Sequence, residues 1–523
     1  MLTTEFLEIA NAICPERAAV IQDGRALSYE QLYDRVKRLA GVLAAQGVQQ
    51  GDTLALLQVN TPQCLEVYFA AATLGAIYVP LNFRARPSEL EYMINQSDAK
   101  LVLAGERYVT MVDALRPQLS NVTHYIALDG PAPGWHDYGA WVGGASADDA
   151  PWLEVPEEAT TILMFTAGTT GFPKGVMLHH NSFASYVLSN VAPADPDEEE
   201  RNLLTVPLYH IAGMQAVMAA IYGGRTLVMQ RQFEPGEWMA LVAKEKTSRA
   251  MMVPTMLKQI LDHADFGAHD LSSLKVITYG AAPMPIEVIS RALNLLPDVQ
   301  FINAFGQTET AATITTLSPE DHHIPPGLPE AERVLRLKRL SSVGKPLDDV
   351  EMRVVDEAGH DCGPNQTGEI IARGPRIMAG YWKDAEKTKA TKRDGWIYTG
   401  DLGHYDDDGY YFLNGRASDM IIRAGENIAP EEVERVLATH PAVDECAVFG
   451  VPDVTWGETV AAAVVLKKGQ QPTADELGDW CRKDLASFKK PERVLFLAEL
   501  PRNPLGKVLR RELRAICTEP AGA

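Results

Sequence analysis

The sequence predicts an α/β protein with a large N-terminal domain of mixed and parallel sheets flanked by helices. A β-rich subdomain and a small α+β C-terminal domain complete it. Three observations carry this reading. Up to about Ser341, strand-like apolar runs alternate with helical periods of ten or more residues, the pattern of parallel strands joined by crossover helices. After Ser341 the strands shorten and are punctuated by glycine and aspartate turns. Beyond Arg416 a new alternation of helix and strand fills roughly 100 residues, enough for a compact module of its own.

Taken in order, LSYEQLYDRVKRLAGVLAAQG (27–47) has apolar residues at helical spacing and ends on glycine. GDTLALLQ reads as a strand, and PQCLEVYFAAATLGAIYVPLN as a helix feeding a strand. Its apolar stretch, Val67 to Leu81, is shorter than the ~20 residues of a membrane span. KLVLAG, TLVMQR, SRAMMVPT, LKVITYG and VQFINAFG repeat the strand signal. DVEMRVVD, GEIIARG and GWIYTGDLGHYDDDGYYFLNGR read as hairpin strands, with the aspartates at 406–408 before Gly409 forming a turn. The last module runs APEEVERVLATHP (helix), DECAVFGVPD and TVAAAVVLKKG (strands), then ADELGDWCRKDL (helix). The expected domains are 1–415 and 420–523, with a hinge at 416–419.

The chain has 523 residues, 46% of them hydrophobic and 22% charged, which fits a globular protein and excludes disorder, collagen and solenoid repeats. Its 48 basic and 69 acidic residues give a net charge of −21, so nucleic acid and anionic lipid are unfavourable partners. A polyanionic ligand must then be met by local cations and backbone N–H groups. Six scattered cysteines without CxxC spacing read as reduced thiols. The start, MLTTEFLEIA, has no basic n-region, so a cytoplasmic location is expected. The acidic run Asp195–Glu200 reads as a solvated loop.

The most informative segment is Thr166-Ala-Gly-Thr-Thr-Gly-Phe-Pro-Lys-Gly175, which follows the strand-like ATTILMF. Gly168 and Gly171 let backbone N–H groups approach a ligand, while Thr166, Thr169 and Thr170 add hydroxyls and Lys174 a cation. That chemistry suits a polyphosphate, and the spacing is not that of a Walker loop. A second cluster, Asn303-Ala-Phe-Gly-Gln-Thr-Glu-Thr310, sets a carboxylate among hydroxyls, as Mg²⁺ requires beside substrate phosphates.

With TAGTTGFPKG, VPLYH, YGAAP, FGQTET, YTGDLG, GRASDMIIRAGENI and PRNPLGKVLRREL in this order, the chain resembles the adenylate-forming enzymes over essentially its whole length. These are the acyl-CoA synthetases, luciferases and peptide-synthetase adenylation domains, and the acyl-CoA ligase branch fits best. The resemblance implies a mobile C-terminal domain that alternates between two half-reactions. ATP and a carboxylic acid first give acyl-AMP and pyrophosphate; coenzyme A then takes the acyl group. It implies that Thr166–Lys174 hold the β- and γ-phosphates, Glu309 binds Mg²⁺ and Thr308 meets the α-phosphate. Gly280, Ala281, Ala282 and Pro283, with Asn303, Ala304, Phe305 and Gly306, would form the adenine slot, and Asp401 and Arg416 would meet the ribose. Lys507 corresponds to the adenylation lysine, Ser418 to the hinge residue, and Gly425 to the glycine past which pantetheine threads. Arg84, Trp456, Phe488 and Lys490 match CoA-contact positions.

The acyl pocket implied by the resemblance is walled by His210, Met256, Tyr279, Ala281, Phe305, Gly306 and Thr310. None of its segments contains an arginine, which argues against a second substrate carboxylate. Acetate-type relatives carry Trp where this chain has Gly306, so a deeper pocket for a medium-chain, cyclic or aromatic monocarboxylate is expected. Three departures stand out: Ala167 where Ser is usual, Ala424 where a second glycine is common, and Ser418 where Asp or Lys is usual. Two further readings remain. One is delivery of the acyl group to a separate carrier protein, or its oxidation as in luciferases. The other is a non-catalytic nucleotide sensor, which would be expected to have lost Lys507 or Glu309. A homodimer is an open possibility.

Overall fold

The computed structural model describes residues 1–166, 173–325, 327–423, 426–503 and 506–518. Backbone packing divides the chain into two compact units. The first comprises Met1–Leu340, Pro346–Glu351 and Ala372–Ile397, and the second Ser341–Lys345, Met352–Ile371 and Tyr398–Ala523. The change of character near Ser341 is thus a unit boundary, while the expected hinge at 416–419 lies inside the second unit.

The first unit is built on two sheets. In the eight-stranded one, Thr53–Leu57 is buried at every position and pairs in parallel with Ile77–Pro80 and Leu101–Ala104. Burial on both faces explains its continuous apolar run. Helix Pro62–Thr73, with proline in its first turn where no N–H is needed, makes the crossover. The apolar run from Val67 is therefore helix and then strand, as expected. One side of this sheet ends in antiparallel strands: Thr160–Thr166 pairs with Lys174–His179, which pairs with Gly380–Tyr381.

In the nine-stranded sheet, Arg201–Leu204, Arg249–Met252, Val276–Gly280 and Gln300–Phe305 lie side by side in parallel, followed by antiparallel Thr315–Leu317. Ligands of open α/β sheets bind beyond the carboxyl ends of the strands, and here those ends carry Gly280 and Phe305. A Cβ on Gly280 would lie 2.1 Å from the Ala304 carbonyl oxygen, so only glycine lets these neighbouring strands end in register. The acidic run before Arg201 is a surface loop, with Glu199 2.9 Å from Arg201 and Glu200 2.7 Å from Arg225.

In the second unit, Trp396–Tyr405 from Tyr398 onward pairs antiparallel with Tyr411–Arg416. The turn between them is held by Asp406, whose carboxylate accepts the N–H groups of Asp408 and Tyr410, with Gly409 at φ 80°. The aspartates predicted as a turn are one. A five-stranded sheet follows, in which Val443–Asp453 and Gly457–Leu466 form a long hairpin and Arg493–Phe496 adds a parallel strand. Helices Pro430–Ala438 and Ala474–Cys481 cover one core of this sheet, and Leu513 of helix Arg510–Thr518 enters another.

Candidate active site

Thr166 and Lys174 face each other as the last paired residues of the antiparallel strands Thr160–Thr166 and Lys174–His179. The residues between them that were expected to cradle phosphate, Gly168, Thr169, Thr170 and Gly171, lie outside the described residues, as does Ala167. Lys174 Nζ stands 5.8 Å from the Tyr381 ring centroid. Burial lowers its pKa first and the charge of Lys387 next, while Glu309 and Asp384 raise it.

Glu309 sits on a 3-10 turn, Thr308–Thr310, after strand Gln300–Phe305. The Tyr381 hydroxyl donates to its Oε1 at 2.8 Å, and the Met378 N–H donates to its backbone carbonyl at 2.9 Å. Segment 378–382 thereby fixes the carboxylate. Among the described residues no hydrogen bond reaches Oε2, and Thr308 beside it is half-buried. One oriented carboxylate with an oxygen to offer fits Mg²⁺, which takes few protein ligands and keeps waters and phosphates.

At the adjacent strand end, Ala281 is left-handed (φ 67°), a strained conformation for a residue with a Cβ, and it begins a sharp turn in which Ala281 and Pro283 are exposed and Ala282 half-buried. Asn303, Ala304, Phe305 and Gly306 are half-buried along the neighbouring strand end. The inference drawn from Gly306 needs correcting. A Cβ there would lie 1.5 Å from the Ala312 carbonyl oxygen, so its missing side chain is replaced by backbone and opens no depth for an acyl group.

Two further pocket expectations also change. Tyr279 is fully buried, its hydroxyl 2.8 Å from His322 Nε2, while His322 Nδ1 lies 2.7 Å from the Ser318 carbonyl. It belongs to the core and offers no surface to an acyl group. Thr310 is buried with its hydroxyl engaged by the Gln307 N–H and carbonyl, both at 3.0 Å, so it serves the turn. Met256 lies almost buried on helix Pro254–Asp262.

His210 lies at the start of helix Ile211–Tyr222, its ring 4.3 Å from that of Tyr209. Among the described residues its buried Nε2 has no hydrogen-bond partner. Burial, and then the charge of Arg84, push its pKa down to about 3, so it is a neutral imidazole at neutral pH. Arg84, which lies outside the four pocket segments, is thus within electrostatic range of His210. Arg84 itself is exposed, with its guanidinium 5.7 Å from the Phe83 ring centroid.

The second unit holds another polar cluster. Asp401 and Arg416 are direct cross-strand partners, with Arg416 Nε 2.7 Å from Asp401 Oδ1. The Thr399 hydroxyl accepts the Asp401 N–H at 3.1 Å and donates to the Ile370 carbonyl at 2.6 Å, which fixes the strand where the carboxylate emerges. Lys507 comes from a turn in which the Asn503 carboxamide and N–H pair with its own N–H and carbonyl, each at 2.8 Å. Its side chain still reaches solvent. Desolvation by surrounding protein lowers its pKa first and Arg416 next, whereas Asp419 and Asp401 raise it. Sequence-distant Asp401, Arg416 and Lys507 are therefore brought within electrostatic range.

Trp456 and Phe488 are exposed aromatics that share Arg423. Its guanidinium lies 5.8 Å from the Trp456 ring centroid and donates to the Phe488 carbonyl at 2.7 Å. It also pairs with Glu492 at 3.2 Å, as does Lys490. Three of the four expected CoA positions thus surround one brace. Gly425 and Ala424 lie outside the described residues, and Ser418 is exposed on the short turn Ala417–Asp419. Tyr381, Lys387 and Arg423 were not found from the sequence. Tyr381 and Lys387 come from a stretch without recognisable chemistry, and the pairing of Gly380–Tyr381 with Lys174–His179 brings them to the site, whereas Arg423 stands within GRASDMIIRAGENI, where Gly425 drew the attention.

The profile of the AMP-binding enzyme family matches residues 7–382, and that of the AMP-binding enzyme C-terminal domain matches residues 432–507. The chain is 36% identical over 501 residues to a feruloyl-CoA synthase of an Amycolatopsis species, covering 96% of both chains. It is 34% identical over 505 residues to the fatty acid–[acyl-carrier-protein] ligase ScoC of Streptomyces coeruleorubidus, covering 96% of this chain and 93% of that one. Its fold matches the crystal structure of the anthranilate CoA ligase AuaEII in complex with anthranoyl-AMP, with TM-score 0.87 and 25% identity over 99% and 97% of the two chains. The chain belongs to the AMP-binding enzymes, the adenylate-forming superfamily, and is a ligase of the AMP-forming acid–thiol class.

Proposed function

We propose that this protein activates a monocarboxylic acid of medium-chain, cyclic or aromatic type with ATP and transfers the acyl group to coenzyme A. An acid carboxylate oxygen attacks the α-phosphorus, and the bond to the pyrophosphate leaving group breaks. The CoA sulfur then attacks the acyl carbon, its proton passing to solvent, and AMP leaves with the carboxylate oxygen. In the first step Lys174 neutralises charge on the departing phosphates, and Thr308 orients the α-phosphate. Asp401 and Arg416 hold the ribose, and Lys507 stabilises the charge shared by carboxylate and α-phosphate. Glu309 would hold Mg²⁺, which when bound supplies charge neutralisation at the phosphates. In the second step Gly425 admits pantetheine, and Trp456, Phe488, Lys490 and Arg84 bind the CoA nucleotide. The domains alternate about Ser418, and the cytoplasm supplies both cosubstrates.

The observation that carries this reading is Lys507 within the field of the Asp401–Arg416 pair. Aromatic acids are the favoured class because two similar enzymes, the feruloyl-CoA synthase and the anthranilate CoA ligase, are named for aromatic acyl groups. A panel of carboxylic acids scored for acid-dependent pyrophosphate release, with and without CoA, tests it. Lys507→Ala should abolish pyrophosphate release but retain thioester formation from supplied acyl-AMP, and equal loss of both steps contradicts the assignment. Delivery to an acyl carrier protein is the second reading, favoured by the similarity to ScoC. Acyl-AMP that is discharged by a carrier protein and not by CoA would select it.

A further inference from the structure

We infer that Lys387 is a second phosphate-binding cation, standing with Lys174 where the pyrophosphate portion of ATP is held. The inference rests on the reading above that Lys174 meets the triphosphate. Lys387 belongs to none of the motifs that identify the family in this chain, and the fold alone delivers it.

Gly380 and Tyr381 pair with Met177 and Val176, and the Trp382 N–H donates to the Gly175 carbonyl at 2.8 Å. The chain therefore runs along the start of the Lys174 strand before turning into helix Ala385–Thr391. Two side chains, making three hydrogen bonds, fix that turn. The Asp384 carboxylate accepts the Lys387 N–H at 2.9 Å. The Thr388 hydroxyl accepts the Tyr381 N–H at 2.9 Å and donates to the Asp384 carbonyl at 2.7 Å. The fit is tight, since a Cβ on Gly380 would lie 2.7 Å from Thr388 Cγ2. Lys387 is thereby held half-buried beside the start of the Lys174 strand, close enough for its charge to lower the Lys174 pKa.

The two like charges repel, and the backbone contacts of the turn keep Lys387 beside the Lys174 strand all the same. The nearby carboxylates are Glu309, which already accepts from Tyr381, and Asp384, which already caps the helix. They offset the paired charge without separating it. In a chain of net charge −21, such a fixed cationic corner is suited to a ligand dense in anionic oxygens. Pyrophosphate matches this, because negative charge grows on it as the bond to the α-phosphorus breaks.

The test compares Lys387→Gln and Lys387→Arg with the wild-type full chain. Pyrophosphate binding is measured calorimetrically, and pyrophosphate inhibition against ATP kinetically. Loss of one charge-assisted contact should weaken pyrophosphate binding by about tenfold or more in the Gln variant and raise its KM for ATP. The KM for the acid should be unchanged, and the Arg variant should stay near wild type. A purely structural Lys387 gives the opposite sign: its removal relieves Lys174 of a repulsive neighbour, so equal or tighter pyrophosphate binding overturns the inference. If the Gln variant unfolds at lower temperature, Lys387→Met, which keeps the aliphatic stem, serves as the neutral arm. A wild-type chain that releases no pyrophosphate with any acid would defeat the proposed function, while the calorimetric comparison would still decide Lys387.

Discussion

Replacing Gly306 distinguishes a packing glycine from a specificity glycine. An added Cβ would lie 1.5 Å from the Ala312 carbonyl oxygen, 2.6 Å from its carbon and 3.1 Å from Thr310 Oγ1, where ordinary contact begins at 3.4 Å. The carbonyl would have to retreat by about 2 Å. It has little freedom, since Ala311 and Ala312 already occupy the left-handed region at φ 48° and 81°. The Ala312 N–H is also tied to the Gln307 carbonyl at 3.1 Å. Overpacking of this kind costs about 1–3 kcal/mol or more. At roughly 2–4 °C per kcal/mol, Gly306→Ala should lower the thermal transition by about 2–12 °C. The same displacement moves Thr308 and Glu309, so pyrophosphate exchange should fall more than tenfold for every acid. Gly306→Trp should be inactive with all acids rather than redirected to acetate. Wild-type stability and exchange in Gly306→Ala, or an acetate-selective Trp variant, would refute the reasoning by showing open space at this position.

Tyr381→Phe removes the donor to Glu309 Oε1. It should weaken divalent-ion binding by about tenfold, read by electron paramagnetic resonance of Mn²⁺ with a non-hydrolysable ATP analogue, at unchanged thermal stability. Arg423→Ala releases the brace between Trp456 and Phe488. It should raise the KM for CoA much more than the KM for ATP, and a parallel rise in both would remove Arg423 from the CoA surface. His180 is fully buried, with Nδ1 2.9 Å from the Thr3 hydroxyl, and burial lowers its pKa to about 4 against 6.5 for the ordinary side chain. Above about pH 6.5 it is neutral in both folded and unfolded chains. As pH falls from 6.5 towards 4 the unfolded chain takes up the proton first, so about 3 kcal/mol of stability is lost across that window. Denaturant midpoints measured from pH 7 to 4.5 should show this slope, and His180→Asn should flatten it.

The parallel sheets were legible because burial on both faces writes uninterrupted apolar runs. TLALL and IYVP are strands for that reason, and the helix between them starts at a proline that only a first turn tolerates. The Asp406 turn was legible because a carboxylate that captures two N–H groups ahead of a left-handed glycine is local chemistry. Helix Glu330–Leu340 escaped notice: only Leu340 of it is buried, so charged residues fill the positions that would otherwise show an apolar period.

The same distinction governs the site. Lys174, Glu309, Asp401 and Lys507 stand in segments whose composition declares their chemistry, and the fold sets Lys174 with Glu309 and Asp401 with Lys507. Gly306 and Tyr279 were misread because residue type was taken for position. A glycine can mean a pocket or a carbonyl in the way, and a tyrosine near the end of a strand can face the ligand or the core. Only the Ala312 carbonyl and His322 decide between these. Tyr381 and Lys387 were invisible for a deeper reason. Their meaning depends on an antiparallel pairing between segments roughly 200 residues apart in sequence, and no local pattern encodes a partner at that distance. A motif-based reading of an adenylating enzyme therefore finds residues that their sequence neighbours declare and misses those, such as Tyr381 and Lys387, that only a distant strand pairing brings in.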